Sequence, residues 1–233
     1  MPTSTVENYV KQLYLEQQRI PGQLVPLGRL AHALRVVPGT VTTMVKTLAD
    51  AGLVRYELRN GVSLTSAGDK LALHVLRRHR LVELFLVRVL GFDWSEVHDE
   101  AEELEHVVSE KLLERMDALL GRPSVDPHGD PIPDMHGQLP AQPTQPLSEA
   151  GAGDMIRVER VNNQDADFLK MATEIGLLPG SGHRVQSNDR VAGTVTLTSD
   201  AGRQAVVGTR AAEFILVSCE TEALAERKGQ GQL

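Results

Sequence analysis

Seven of the twelve prolines in this 233-residue chain fall between Pro123 and Pro146. Each proline removes a backbone donor and fixes φ, so neither a helix nor a central strand can run through that stretch. It divides the chain into a front part with helical periodicity and a rear part of short β-rich runs. The expected domains are 1–65, 66–122 and 154–226, with an extended loop and linker over 123–153 and a frayed end over 227–233.

In the front part, Val6, Tyr9, Val10, Leu13 and Tyr14 recur at helical spacing, and Pro21-Gly22 ends the pattern. A short helix over 27–34, a break at Val36-Val37-Pro38-Gly39 and a helix over 40–51 follow. Residues 53–58 and 62–65 flank Arg59-Asn60-Gly61, which predicts a hairpin on an Asn-Gly turn. Two helices on a tight turn followed by a hairpin make a winged helix-turn-helix. Helical periodicity then returns over 66–90, and a further long helix is expected over 95–120. With only 3% aromatic residues, the cores must be built from Leu, Val, Ala, Ile and Met. In the rear part, runs at 155–161, 183–186, 194–198, 204–207 and 214–218, with one helix over 165–175, predict a small β-barrel.

The net charge of −7 argues at first against nucleic acid, but the charges are unevenly placed. Residues 26–65 carry five basic side chains against two acidic ones, whereas 93–117 carry ten acidic residues against Lys111 and Arg115. The lone cysteine, Cys219, excludes an internal disulfide framework and a zinc ribbon. No basic-then-apolar leader opens the sequence and charges interrupt every long apolar run, so a cytoplasmic protein with no membrane partner is expected.

The second helix of a helix-turn-helix enters the major groove. Its leading residues here are Pro38, Gly39, Thr40, Thr42 and Thr43, with Lys46 one turn on. Small side chains permit close approach, threonine methyls suit thymine methyls, and helix-terminal N–H groups suit a phosphate. Arg29, Arg55 and Arg59 are candidate phosphate or minor-groove contacts. A plain helical pair in an enzyme would look similar up to residue 52; the hairpin behind it favours DNA.

A second constellation consists of His79 and Glu83 on one helix and His98, Glu102, Glu105 and His106 on the next expected helix. A spacing of four places an imidazole and a carboxylate on one helical face, and two such faces can share a divalent ion. The competing interpretation is a solvated acidic helix, which Asp99, Glu100, Glu103, Glu110 and Glu114 support for the outer face.

These motifs, with Gly129-Asp130-Pro131-Ile132-Pro133, resemble the diphtheria toxin repressor family of iron- and manganese-dependent regulators. The rear domain, with Ile175-Gly176-Leu177-Leu178-Pro179-Gly180, looks like the SH3-like (FeoA-like) module of longer members. The resemblance implies a mainly α winged helix-turn-helix, a helical dimerisation and metal-binding domain, and a small SH3-like β-barrel. It implies two neighbouring metal sites: His79, Glu83 and His98 in one, and position 102, Glu105, His106 and a first-helix residue in the other. Position 102 is cysteine in iron-responsive members and a carboxylate in manganese-responsive ones; Glu102 favours Mn(II), with Fe(II) second. The first-helix ligand aligns with Asn8, and Glu7 beside it is the alternative. Arg160 and Asn163 stand near the positions where the β domain can supply ligands and do not match them.

The expected function is that of a non-enzymatic, homodimeric repressor of metal-uptake genes that binds palindromic double-stranded operator DNA when loaded with metal. Repulsion among its carboxylates would keep the first helix unsettled until metal tethers it. Residues 84–90 with Val107, Leu112 and Leu113 are candidates for the dimer seam or for monomer core. The rival functions are a metal-dependent hydrolase and a helix-turn-helix regulator answering to an organic effector in the β domain.

Overall fold

The computed structural model describes residues 3–140 and 143–220. The expected fraying over 227–233 and the expected domain end at 226 lie outside the described residues. The chain forms two compact units. The first comprises Met1–Val82, Glu102–Leu119 and Ile132–Leu139; the second comprises Glu83–Ala101, Leu120–Pro131 and Pro140–Leu233.

In the first unit, α1 (Ser4–Arg19) begins where the Thr3 hydroxyl accepts the Val6 N–H. Helix α2 (Leu27–Ala33) and helix α3 (Pro38–Asp50) form the predicted pair, with Pro38 in the first turn, where its missing N–H costs nothing. Strands β1 (Val54–Glu57) and β2 (Gly61–Leu64) pair antiparallel. The hairpin differs from the expected Asn-Gly turn. Its loop is Leu58-Arg59-Asn60, with Arg59 at φ 69° and the Asn60 N–H donating to Glu57 O at 3.0 Å. Gly61 lies in the strand, where only glycine fits because a Cβ would stand 2.7 Å from the Val25 carbonyl oxygen. Val25 and Val62 exchange hydrogen bonds of 2.9 and 3.0 Å, an isolated antiparallel bridge beside the two-stranded wing. Tyr9, Val10 and Leu13 of α1 share one core with Leu30, Val41, Val45, Leu48, Val54 and Val62.

Helix α4 (Ser66–Leu90) matches the predicted span. The expected helix over 95–120 is instead α5 (Val97–Leu104) and α6 (Glu110–Leu119). Ser109 is a helix start: its hydroxyl accepts from Leu112 N and its carbonyl from Leu113 N, which favours a new helix over continuation of the old one. The break frees Glu105 to turn fully inward, at 0% exposure. In this unit Arg77 donates to Pro133 O at 2.7 Å and to Asp117 at 2.9 Å, tying α4 and α6 to the chain at 133.

The second unit holds β3 (Gln145–Pro146), β4 (Met155–Val161), α7 (Ala166–Ile175), β5 (Gly182–Asp189), β6 (Thr194–Ser199), β7 (Gln204–Gly208), α8 (Thr209–Ala212) and β8 (Ile215–Glu220). The strands form one antiparallel sheet in the order β3-β8-β4-β5-β6-β7. Asp165 caps α7 and Gly176 ends it at φ 79°. Trp94, Val158, Leu169, Val185, Leu197, Ile215 and Val217 share the core with Leu147, which follows the edge strand β3. Proline suits that edge, so the proline-rich stretch delivers a core residue as well as a connection.

That stretch also gains order from two similar loops. In Asp126-Pro127-His128-Gly129-Asp130, Asp126 Oδ1 accepts the N–H groups of His128 (2.8 Å) and Asp130 (2.9 Å). In Asp134-Met135-His136-Gly137-Gln138 of the first unit, Asp134 Oδ1 does the same for His136 and Gln138, both at 2.8 Å. A carboxylate that stands in for a backbone partner builds a rigid turn without a helix or strand. Among the described residues no helix is long and apolar enough to cross a membrane.

His183, 1% exposed, donates from Nε2 to Gly176 O at 3.2 Å. Burial lowers its pKa, and the Gly176 carbonyl and Asp200 only partly oppose that. The unfolded chain therefore binds a proton more readily than the folded one, and stability is present above the unfolded value of about 6.5 and lost as pH falls below it. Thermal melts across this range should show declining stability of the β domain, with the decline flattened in His183→Gln.

Candidate functional site

The acidic cluster of the first unit is built where α1 meets the turn after α5. Glu7, in the first turn of α1, accepts from Arg78 Nη2 at 2.7 Å through Oε1 and pairs with His106 Nδ1 at 2.6 Å through Oε2. One turn on, Lys11 Nζ donates to Glu102 Oε1 at 2.6 Å and to Glu105 Oε1 and Oε2 at 2.7 and 2.9 Å. His79 Nδ1 pairs with Glu105 Oε2 at 2.6 Å. Burial would push the Glu105 carboxyl upward, but the hydrogen bond and charge of His79 and the ammonium of Lys11 outweigh it and hold the group below the usual carboxylate range. The expected nest of mutually repelling carboxylates is thus already countered by Arg78 and Lys11.

Asn8 Oδ1, next in sequence to Glu7, and His106 Nε2 are both buried with no hydrogen-bond partner. The second follows from Glu7, which fixes the His106 Nδ1 proton and leaves the Nε2 lone pair aimed elsewhere, 3.5 Å from Glu105 Oε1. Between the two first-helix alternatives, Asn8 has the uncommitted oxygen, whereas Glu7 is engaged in orienting His106. An amide oxygen, an imidazole nitrogen and two carboxylates are a donor set suited to a hard divalent cation. His79, Glu102 and Glu105 can also each bring one donor atom within 4.8 Å of the others.

In the second unit, Glu83 on α4 is fully buried. His98 Nδ1 lies 3.3 Å from its Oε1 and His128 Nδ1 3.8 Å from its Oε2. Glu83, Asp126 and His128, all buried, can place one donor atom each within 4.8 Å. The Trp94 indole stacks on His128 at 5.5 Å, and Trp94 O pairs with His128 Nε2 at 2.9 Å, which in the neutral ring leaves Nδ1 as the donor atom on the Glu83 side. Burial lowers the His128 pKa, but Glu83, Asp126 and the Trp94 carbonyl outweigh it and raise it to about 9. His79 precedes Glu83 by one turn of α4.

Asp126 and His128 escape a search by helical spacing because they sit in the proline-rich loop. The signal that could have found them is the local pattern: an Asp two residues before His128 and three before Gly129, which takes φ 84°. Lys11 and Arg78 are likewise invisible as counter-charges until α1 and α4 are brought together.

Elsewhere in the first unit, Pro38, Gly39, Thr40, Thr43 and Lys46 are exposed along the leading turns of α3, with Thr42 half-buried. Thr42 and Thr43 donate their hydroxyl protons back to Pro38 O and Gly39 O, at 3.0 and 3.2 Å, so they offer methyls and lone pairs outward. Arg55 and Arg59 are exposed on the wing. Arg29 is also exposed, with its Nε bonded to Glu16, a buried carboxylate that Arg19 also contacts. Of the expected seam residues, Leu84, Leu86 and Leu113 are core, while Val89, Leu90, Val107 and Leu112 are exposed.

The comparisons follow the same division. Residues 1–62 match the iron dependent repressor, N-terminal DNA binding domain, 65–134 the iron dependent repressor, metal binding and dimerisation domain, and 145–219 the FeoA domain. The iron-dependent repressor IdeR of Mycobacterium leprae is 32% identical over 209 residues, which cover 83% of this chain and 87% of the relative. The chain belongs to the diphtheria toxin repressor family. The diphtheria toxin repressor of Corynebacterium glutamicum is 36% identical over 190 residues, 76% of this chain and 81% of its own. A solved manganese-dependent transcriptional repressor in complex with manganese superposes with a TM-score of 0.84 at 38% identity, covering 92% of this chain and 100% of that one. The family is one of transcriptional repressors rather than enzymes, so the hydrolase alternative falls away.

Gly129 holds the second cluster in place. A Cβ there would stand 1.9 Å from Glu159 O, and the adjacent His128 O accepts the Val161 N–H at 2.9 Å. Gly129→Ala must lift the loop off β4 and forfeit that bond. A loss of about 1–3 kcal/mol is expected in urea unfolding, together with altered Trp94 fluorescence from the disturbed stack.

Proposed function

We propose that the chain is a cytoplasmic, metal-activated repressor that binds palindromic operator DNA as a homodimer and controls metal-uptake genes, with Mn(II) its principal effector and Fe(II) second. The observation that carries this reading is His106 Nε2, buried without a hydrogen-bond partner 3.5 Å from Glu105 Oε1, together with Asn8 Oδ1 on α1, likewise buried and without a hydrogen-bond partner. With no thiolate in the set, oxygen and imidazole donors favour Mn(II) over softer ions. Support comes from the family and from relatives described as manganese-dependent.

Asn8, Glu102, Glu105 and His106 are the proposed ligands on α1 and the turn after α5. Glu83, His98, Asp126 and His128 are proposed for a second ion, with His79 retained from the set that the resemblance implies. A bound divalent ion supplies positive charge that draws amide, carboxylate and imidazole donors together. The chain's own part is to transmit that constraint. Asn8 is flanked by residues on the core face of α1, and Tyr9, Val10 and Leu13 pack in the core that also seats α2 and α3. Fixing Asn8 against the 102–106 turn therefore fixes the helix pair. In a dimer, half-sites one DNA turn apart are met only when both pairs are held at matching separation. The exposed Val107, Leu112 and Leu119 of the first unit supply apolar surface for dimerisation. Pro38, Gly39, Thr40, Thr42 and Thr43 are proposed to face the bases, and Lys46, Arg55 and Arg59 the phosphates, with Arg29 braced by Glu16.

The direct test is fluorescence anisotropy on a palindromic operator from a metal-uptake promoter. Binding should tighten with Mn(II) in the wild type and lose that dependence in Glu102→Ala; tight binding indifferent to metal would leave the organic-effector alternative standing. On the same operator, Lys46→Ala and Arg59→Ala should each lower the slope of log affinity against log salt by about one per half-site, while binding stays metal-dependent.

A further inference from the structure

The cluster assigned to the α1 ion already contains a cation. Lys11 is 5% exposed, and its ammonium spends all three donors on Glu102 Oε1 and the two oxygens of Glu105. Those carboxylates are the ones assigned as ligands. A divalent ion bound to the same oxygens at about 2.1–2.2 Å would lie within about 4–5 Å of Nζ, where two cations repel strongly in a buried setting. The oxygens cannot serve both at full strength.

The charges lead to the same conclusion. Glu7, Glu102 and Glu105 contribute three negative charges, and Arg78 and Lys11 two positive ones. With neutral imidazoles the cluster is left one negative charge, which is poor compensation for a buried divalent ion while Lys11 stays. Arg78 is bound to Glu7, which is not among the assigned ligands. Lys11 is the group that can leave: its four-carbon stem is flexible, and Glu102, with 33% of its side chain exposed, opens the cluster to solvent. When the ammonium departs, Glu105 keeps its hydrogen bond to His79, so the carboxylate is not abandoned.

We propose that Lys11 is a built-in counter-cation. It holds Glu102 and Glu105 together in the metal-free repressor and must swing out before a divalent ion is taken there, so that it sets the metal concentration at which the α1 cluster fills. The inference rests on reading this cluster as a metal site.

The test follows Lys11 itself in the full-length wild type. Acetylation with an amine-reactive ester, read by peptide mass spectrometry, should leave Lys11 protected without metal and label it several-fold faster in saturating Mn(II), with the exposed Lys46 as the internal standard. Alongside, free Mn(II) measured by electron paramagnetic resonance at constant pH should show binding to Lys11→Met roughly tenfold or more tighter than to wild type, and this binding should vanish with Glu102→Gln. Lys11 labelling that stays flat while a Glu102-dependent site fills, or an unchanged affinity in Lys11→Met, would overturn the counter-cation role and leave the metal site standing. Mn(II) binding insensitive to Glu102→Gln in both backgrounds would overturn the metal reading and the inference together. The labelling arm needs no variant, so a poorly folding Lys11→Met does not decide the matter.

Discussion

The Glu105 carboxylate, with no exposed surface, must find partners for both oxygens or ionise at great cost, and much of the first unit is arranged to supply them. It takes Lys11 from α1 and His79 from α4, two elements separated by dozens of residues in sequence. Glu105 can reach both only because α5 stops at Leu104 and the chain turns before α6 begins. A continuous helix would carry residues 105 and 106 along its own surface; the break turns them inward. Alongside, Glu7 bridges Arg78 and His106, so α1 is fastened by charge at two successive turns. The apolar side of α1 then passes that fastening to the helix pair through Tyr9, Val10 and Leu13.

The second unit solves the same problem with different materials. Its buried carboxylate, Glu83, faces imidazoles from a helix and from a loop, and the loop is stiffened by Asp126 rather than by regular hydrogen bonding. Stacking on Trp94 and the bond to the Trp94 carbonyl orient His128, and Trp94 in turn is part of the β-domain core and donates its indole N–H to Thr173. Packing of the small domain and orientation of a candidate ligand are therefore one matter.

Periodicity served best where side-chain burial repeats. The spans of α1, α4, α7 and the rear strands follow their apolar spacing, because each places one face in a core. It failed where a single residue decides. The α5–α6 break depends on Ser109 starting a new helix and on Glu105 seeking buried partners, neither of which alters the amphipathic pattern over 97–119. The hairpin turn moved because Gly61 answers to Val25, a residue from another part of the chain. Of the candidate site, the six His/Glu positions were proposed from spacing and from the family resemblance. Asp126 and His128 were not, since proline density signals the absence of regular structure and says nothing about order of another kind. The status of Arg29 depended on Glu16, whose burial becomes evident only when α1 and α2 pack.

The exchange of hydrogen bonds between Val25 and Val62 has a bearing on how this protein meets a duplex. Val25 immediately precedes Pro26, the residue from which α2 departs, so the wing is bolted to the root of the helix pair rather than hinged at its own base. The two hydrogen bonds thus couple the wing to the helices directly. In the proposed dimer, the distance and tilt between two such wing-and-helix heads would then be the easier thing to adjust. Discrimination among operators would accordingly fall on half-site spacing and on the ease with which the intervening base pairs bend or twist, a property of DNA the protein need not touch to sense.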